Sequence, residues 1–456
     1  MFIGREKELA VLNKRYKSDK FECILLYGRR RVGKTELIGE FAKDKRNITF
    51  MAKKGTFEEN MKALTDAIYG NDDNAPFETL EKALAKINEM AKEEKLVFVI
   101  DEYPYFAESR ESVSSILQHT IDKVFGKTNM MLILCDSSMS FMEKQVMGYQ
   151  SPLYGRREGQ IKLLPFDYKT SGLFTPNYTD EEKAIVFGVT GGIPKYLALF
   201  DEKLPLAENI TNEFFDKNYY LFEEPENLLQ QELRDPAPYN AVISAIALGG
   251  SQMKDIASKT GFETSKLTAY IKSLVDLGII KREVPMFSKP ESKKSIYRLS
   301  DGMFRFWYRF VYRNMSLINF GKGKHIYDNI KQEQLSSFMG EAFEQICIEY
   351  MWSEYENLPI KVQDIGRWWG NNPLEKKQEE IDLIAPDFTG KKAIFGECKW
   401  TNEKISESVV DDLIAKAKMF TFDEKYYYLF SKNGFTPACL EKVTDKIKLI
   451  SYADMV

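Results

Sequence analysis

The 456-residue chain carries 29% charged and 44% hydrophobic residues and a net charge of −4, the balance of a globular protein with ample material to bury and a length that implies more than one core. Five cysteines without paired spacing and only two histidines, His119 and His325, argue against a zinc site, a disulfide framework or a histidine-based metal centre. The start has no apolar signal region and no apolar run reaches spanning length, so a cytoplasmic protein without a membrane partner is expected.

Residues 1–165 alternate strand and helix patterns. Strands are expected at Glu22–Tyr27, Asn47–Ala52, Lys95–Ile100, Met130–Asp136 and Ile161–Leu164, with helices such as Lys34–Lys43 and Thr79–Lys92 between them, which is an α/β core with a largely parallel sheet. The first strand runs directly into Gly28-Arg29-Arg30-Arg31-Val32-Gly33-Lys34-Thr35, a GxxxxGKT loop that opens a helix and adjoins Glu36. The glycines let backbone N–H groups converge on an anion, Lys34 supplies a point charge for β/γ oxygens, and Thr35 offers a hydroxyl to magnesium. The third strand ends in Asp101-Glu102. Asp101 is the candidate for holding magnesium, and Glu102 for orienting or deprotonating the water that attacks the γ-phosphorus. ATP with Mg2+ is the expected cofactor, bound where open sheets of this class bind ligands, at the carboxyl ends of the strands.

Residues 166–235 read as helical, broken at Gly191-Gly192-Ile193-Pro194, and suggest a helical lid; Asp235-Pro236-Ala237-Pro238 marks a boundary because its prolines disfavour helix. In 236–300, helical patterns at Tyr239–Leu248, Met253–Thr260 and Thr264–Leu277 precede β-like pieces at Ile279–Arg282 and Ser295–Leu299, the order of a winged helix-turn-helix. Leu267, Ile271, Leu274 and Val275 form a core stripe in the third helix, leaving Ser265, Lys266, Thr268, Tyr270 and Lys272 for a DNA groove or a protein joint. Residues 251–332 hold sixteen Lys or Arg against seven Asp or Glu, a local +9 that leaves −13 elsewhere and fits a phosphate-backbone footprint. Within 301–335, Phe304, Phe306, Trp307, Tyr308, Phe310 and Tyr312 alternate with Arg305, Arg309 and Arg313. These aromatics are expected to pack between domains while the arginines snorkel, with base stacking as the alternative. Gly321-Lys322-Gly323-Lys324 reads as a flexible link.

In 336–456 two β-like runs, Glu380–Ala385 and Ala393–Trp400, flank a turn around Asp387–Lys391. A hairpin centred between Thr389 and Gly390 sets Asp382 opposite Glu397, with Lys399 on the face of Glu397. Carboxylates so close repel unless a dication lies between them, and Mg2+ or Mn2+ suits that role. The ion would polarise a scissile phosphate while Lys399 positions the attacking water. Glu344, on a helix beginning near Phe338, is a further candidate ligand, and Trp368-Trp369 is expected to cap the core or stack on a base.

As a set these features resemble the archaeal-type ATPase family of the AAA+/STAND class, in the subgroup with a C-terminal PD-(D/E)XK nuclease-like domain. The resemblance also rests on Phe2-Ile3-Gly4-Arg5-Glu6, Ser137-Ser138, Tyr154-Gly155-Arg156-Arg157 and Gly396-Glu397-Cys398-Lys399-Trp400. It implies that the opening box, with Gly4 and Arg5, contacts the adenine side, that Ser137 or Ser138 senses the γ-phosphate, and that Arg156 or Arg157 acts as sensor or finger. A finger acting in trans would require a homo-oligomer. Asp136 departs from the pattern, which has a small residue there. The implied function is ATP hydrolysis coupled to DNA binding and metal-dependent cleavage; a switch or scaffold that binds a partner without cutting is the alternative.

Overall fold

The apolar runs of the first 165 residues become five parallel strands, β1 (Glu22–Tyr27), β2 (Asn47–Met51), β3 (Val97–Asp101), β4 (Met131–Asp136) and β5 (Gly159–Lys162), in the order β2-β3-β4-β1-β5. Every residue of β1, β3 and β4 is buried, which is why these strands read as unbroken hydrophobic runs. β5 begins two residues before the expected Ile161, because its pairing with β1 runs from Ile24↔Gly159 to Tyr27↔Lys162 and leaves Leu164 exposed beyond the sheet. β4 separates β1 from β3, so the glycine loop and Asp101-Glu102 flank the tip of β4, where Ser137 follows.

This computed structural model describes residues 2–71, 73–137, 141–142, 146, 148–149, 151–331 and 333–456, and the chain divides into two compact units, Met1–Pro165 and Phe166–Val456.

The second unit opens with helices. Gly191 (φ 63°) ends helix Asp180–Thr190 in the left-handed conformation. At Gly192 (φ 70°) a Cβ would stand 2.2 Å from the Phe166 carbonyl oxygen, while the Phe166 N–H donates to Gly192 O at 2.8 Å. The Gly-Gly-Ile-Pro break is therefore a place of close backbone approach. Helices Ala237–Ala247, Met253–Thr260 and Thr264–Asp276 follow, then antiparallel β6 (Ile280–Glu283) and β7 (Ile296–Leu299). The preceding helix ends at Glu232 and the next begins at Ala237, two residues before the expected Tyr239, because Pro238 is accommodated in its first turn, where its missing N–H has no intrahelical acceptor to lose. In the third helix Leu267, Ile271 and Leu274 are buried, whereas Val275 is exposed: the stripe closes at i, i+4, i+7 and Val275 falls past its edge. Ser265, Lys266, Thr268 and Lys272 are exposed, and Tyr270 packs on Tyr239 and Phe262 with ring centroids 5.0 and 5.4 Å away.

Phe304, Phe306, Trp307, Tyr308 and Phe310 are all buried, so the aromatic run is packing material; of the six aromatics, Tyr312 alone stays exposed. Phe306 lies 4.5 Å from Phe214 and 5.4 Å from Phe338, and the Trp307 Nε1–H donates to Phe222 O at 2.8 Å. The expected flexible link is also ordered. Gly323 opens helix Gly323–Ile330, and a Cβ there would stand 2.5 Å from Phe215 O.

The C-terminal part comprises helix Glu333–Ser353, β8 (Gly366–Asn372), β9 (Lys377–Pro386), β10 (Lys392–Lys399), helix Glu407–Ala417, β11 (Glu424–Ser431) and β12 (Ile447–Ser451). The sheet order is β12-β11-β10-β9-β8, antiparallel from β8 to β10 and parallel from β10 to β12. Ile381, Ile384 and Phe395 of the sheet pack against Val410, Leu413 and Ala417 of the second helix.

Candidate functional site

At the glycine loop, Gly33 takes φ 86° and Arg31 φ 72°, and a Cβ on Gly28 would stand 2.3 Å from Leu163 O. Lys34 is buried and its ammonium donates to Gly28 O and Arg29 O at 3.0 and 3.2 Å, lying over its own loop. The Thr35 hydroxyl donates to Asp101 Oδ2 at 3.1 Å. Two oxygen donors, one at the start of the helix that follows the loop and one at the end of β3, thus meet across the tip of β4, the chemistry that suits a magnesium ion bridging to phosphate. Val32 is fully buried and Glu36, in the first turn of the helix, is exposed.

Glu102 adopts the left-handed conformation (φ 53°), a strained choice for a side chain of this size. Its N–H donates to Asp101 Oδ1 at 3.0 Å and its Oε2 accepts from the Ser137 hydroxyl at 3.2 Å. Arg30 lies 3.9 Å from the other Glu102 oxygen and donates to the Tyr105 hydroxyl at 3.0 Å. Ser137 and Glu102 are therefore joined, whereas Ser138 lies outside the described residues. Asp136 is buried at the end of β4.

In the opening box, Arg5 is held by carbonyls of the same unit. Buried beside Gly4, it donates from Nη2 to Val32 O at 3.0 Å and to Leu164 O at 2.7 Å, tying the start of the chain to the phosphate loop. Arg156 forms a two-pronged pair with Asp122 at 3.1 and 3.0 Å, and Arg157 is half-buried.

The second group of candidates lies on the β9–β10 hairpin. Its register runs from Ala393↔Pro386 to Gly396↔Leu383, and one further step sets Asp382 beside Glu397, as a turn centred on Thr389 and Gly390 requires. Between Gly366↔Ile384 and Trp368↔Ile381, two steps along β8 answer three along β9, a bulge that falls at Asp382-Leu383. Asp382 Oδ2 accepts the Cys398 N–H at 2.9 Å. Glu397 is buried, and its two oxygens face two ammoniums, Lys399 at 2.5 Å and Lys416 at 3.6 Å. Burial and then Asp382 push the Glu397 carboxyl above its ordinary range, with Lys399 and Lys416 opposing. Burial works against the Lys399 charge, but Glu397 and Asp382 outweigh it and hold the ammonium above its usual value.

Glu344 is turned to Arg367, Oε2 to Nε 3.3 Å, and burial, with Asp382 next, pushes its carboxyl up to about 8. Among the described residues no three His, Cys, Asp or Glu side chains gather as a ready metal cage, and Glu344, although it feels the Asp382 charge, is engaged by Arg367. Trp368 packs on Phe420 at 5.1 Å, the core-capping role, and the Trp369 Nε1–H donates to Lys294 O at 3.1 Å. Lys416 escaped notice in the sequence because one lysine on an amphipathic helix carries no local mark; only the packing of Val410, Leu413 and Ala417 on the sheet brings it to Glu397.

Residues 2–200 match a family described as an ATPase domain predominantly from Archaea, and residues 307–410 match one described as archaeal and bacterial proteins of unknown function. An uncharacterised protein of Methanocaldococcus jannaschii is 33% identical over 444 residues, covering 95% of this chain and 96% of its own length. The chain belongs to this archaeal ATPase family. An uncharacterised ATP-binding protein of the same organism is 48% identical over 46 residues, 10% of this chain and 78% of that one. The Walker-type ATPase of Pyrococcus abyssi shares the fold, with a TM-score of 0.54 at 20% identity over 68% of this chain and 96% of that one. The protein is accordingly a nucleotide-binding ATPase whose parallel sheet is of the P-loop kind. No helix among the described residues is long and apolar enough to cross a membrane.

Proposed function

We propose that this ATPase acts on DNA and cuts it at the β9–β10 hairpin. In this reading Gly28 to Thr35 cradle the phosphates, Thr35 and Asp101 hold magnesium, Glu102 orients the attacking water, and Ser137 reports the γ-phosphate to Glu102 through their hydrogen bond. Residues 166–235 act as a lid, 236–300 as a winged helix-turn-helix, 301–335 as the packed connection, and 336–456 as a nuclease-like domain.

The observation that carries the cleavage reading is the hairpin itself: two facing carboxylates at a bulge, one of them buried against a lysine at 2.5 Å. A bound Mg2+ or Mn2+ would polarise the scissile phosphate. Asp382 and Glu397 would hold that ion, Lys399 would orient water and steady the developing charge, and Lys416 would neutralise what remains on Glu397. Asp382→Ala and Lys399→Ala should each abolish dication-dependent plasmid nicking, and undiminished nicking by either variant would place the chemistry elsewhere. The Glu344–Arg367 pair favours a second reading, in which the C-terminal part binds a partner without cutting and ATP sets its conformation. Wild-type protein that binds duplex DNA yet leaves it intact with either ion would support that alternative.

A further inference from the structure

Residues 284–295, between β6 and β7, are longer than a hairpin turn needs and are tied down along their length. The Met286 N–H donates to Arg367 O at 2.8 Å, adding a backbone bond to the outer strand β8. The Met286 side chain packs on the C-terminal core, and a Cβ on Gly366 would stand 2.8 Å from its methyl carbon. Phe287, at φ 69°, brings its ring to 6.0 and 5.9 Å from Phe420 and Phe422. On the returning limb, Trp369 holds Lys294 O, and the Arg282 guanidinium donates to Pro290 O and Ser292 O at 2.6 and 3.3 Å. The connection is a strap anchored to the sheet that carries Asp382 and Glu397.

This strap bears three exposed lysines, Lys289, Lys293 and Lys294, against one carboxylate, Glu291. Among the described residues none of the three has an ion-pair partner. Close by, Lys281, Arg298, Arg305 and Arg367 are each matched by a glutamate within 4.0 Å. These four cations are matched by carboxylates, and the three strap lysines are not. Because the strap backbone is anchored, binding a polyanion there costs little ordering of the chain.

We infer that the strap is a phosphate rail, a surface that holds one backbone of duplex DNA along the β8 edge beside the β9–β10 hairpin. The inference rests on the DNA reading above and names where the partner lies. Lysines of this kind contact phosphate and no base edge, so binding there is indifferent to sequence and steeply salt-dependent. Lysines on a sheet edge also discourage strand addition, and that role alone would leave DNA binding unaffected by their removal.

The test is fluorescence anisotropy of a labelled mixed-sequence duplex with the full chain across a salt series. The combined variant Lys289→Ala, Lys293→Ala, Lys294→Ala should lose affinity by about tenfold or more at low salt. Its log–log salt slope should shrink by roughly 2 to 3, since each phosphate contact contributes about 0.9. Its thermal midpoint should match the wild type, because the substituted side chains are exposed. Wild-type binding with an unchanged affinity and slope in the variant overturns the rail alone. A wild type that binds no duplex at any salt overturns the DNA reading, and the rail with it.

Discussion

Thr35 and Asp101 are 66 positions apart in the chain and 3.1 Å apart in space, and Lys34 precedes Thr35 at the start of the same helix, its ammonium on the loop carbonyl of Gly28. Lys34→Ala and Asp101→Asn should each cut ATP hydrolysis by about a hundredfold or more, measured as phosphate release at saturating magnesium–ATP, since in the proposed site the first removes the cation that faces the β/γ oxygens and the second a carboxylate that holds magnesium. A rate within twofold of wild type would refute the assignment. These positions were legible because the motif is contiguous and its strand and helix are local. Arg5 was not, for its partners are the carbonyls of Val32 and Leu164, the latter 159 residues away, and no pattern in the opening box shows that it latches the loop. A different residue-scale outcome concerns Glu213, which is buried in helix Leu206–Phe215 with an Oε2 that has no hydrogen-bond partner. Burial, only partly offset by the Leu221 N–H, pushes its carboxyl up to about 7 from an ordinary 4.5. The folded state therefore favours the protonated acid, and its contribution is intact below about pH 4.5 and lost as pH rises through about 7. Glu213→Gln should raise stability by on the order of 2 kcal/mol at pH 8 and scarcely at pH 4.5, read as denaturant midpoints. Equal effects at both pH values would exclude the titration.

At the level of elements, the strands buried on both faces were the clearest: β1 was expected with its observed bounds because six consecutive residues are buried. β5, with a single buried residue in four, carries little pattern, and its register comes from pairing with β1 instead. The hairpin was legible from its turn, whereas the bulge at Asp382-Leu383 belongs to the pairing with β8 and has no sequence mark. The helix joint at Gly192 shows the same dependence on distant partners, since what forbids a side chain there is Phe166 O at 2.2 Å. Gly192→Ala should destabilise the fold by about 2 kcal/mol or more, combining a positive φ with that clash. A thermal midpoint within about 1 °C of wild type would contradict the close approach. Phe287→Ala should loosen the strap between β6 and β7, seen as faster amide exchange confined to residues 284–295; exchange at the wild-type rate would show that the Phe420 and Phe422 contacts are dispensable.

For the whole molecule, the ATPase and the hairpin carboxylates are two oxygen-rich sites in two separate compact units, so each can be silenced without the other. The broad assignment of an archaeal ATPase was readable from motifs spread along the chain, and the extent of the Methanocaldococcus jannaschii relative fits that reading. Whether nucleotide at the first unit acts on the hairpin has no such mark, because a coupling is a difference between states and a sequence pattern records one fold. The most direct test is nicking of supercoiled plasmid by wild type, Lys34→Ala and Asp382→Ala, with the dication and ATP supplied independently. The expected result is nicking that needs Mg2+ or Mn2+, vanishes in Asp382→Ala, and loses its response to ATP in Lys34→Ala. Nicking by Asp382→Ala at the wild-type rate, or intact plasmid with wild type under every combination, would contradict it.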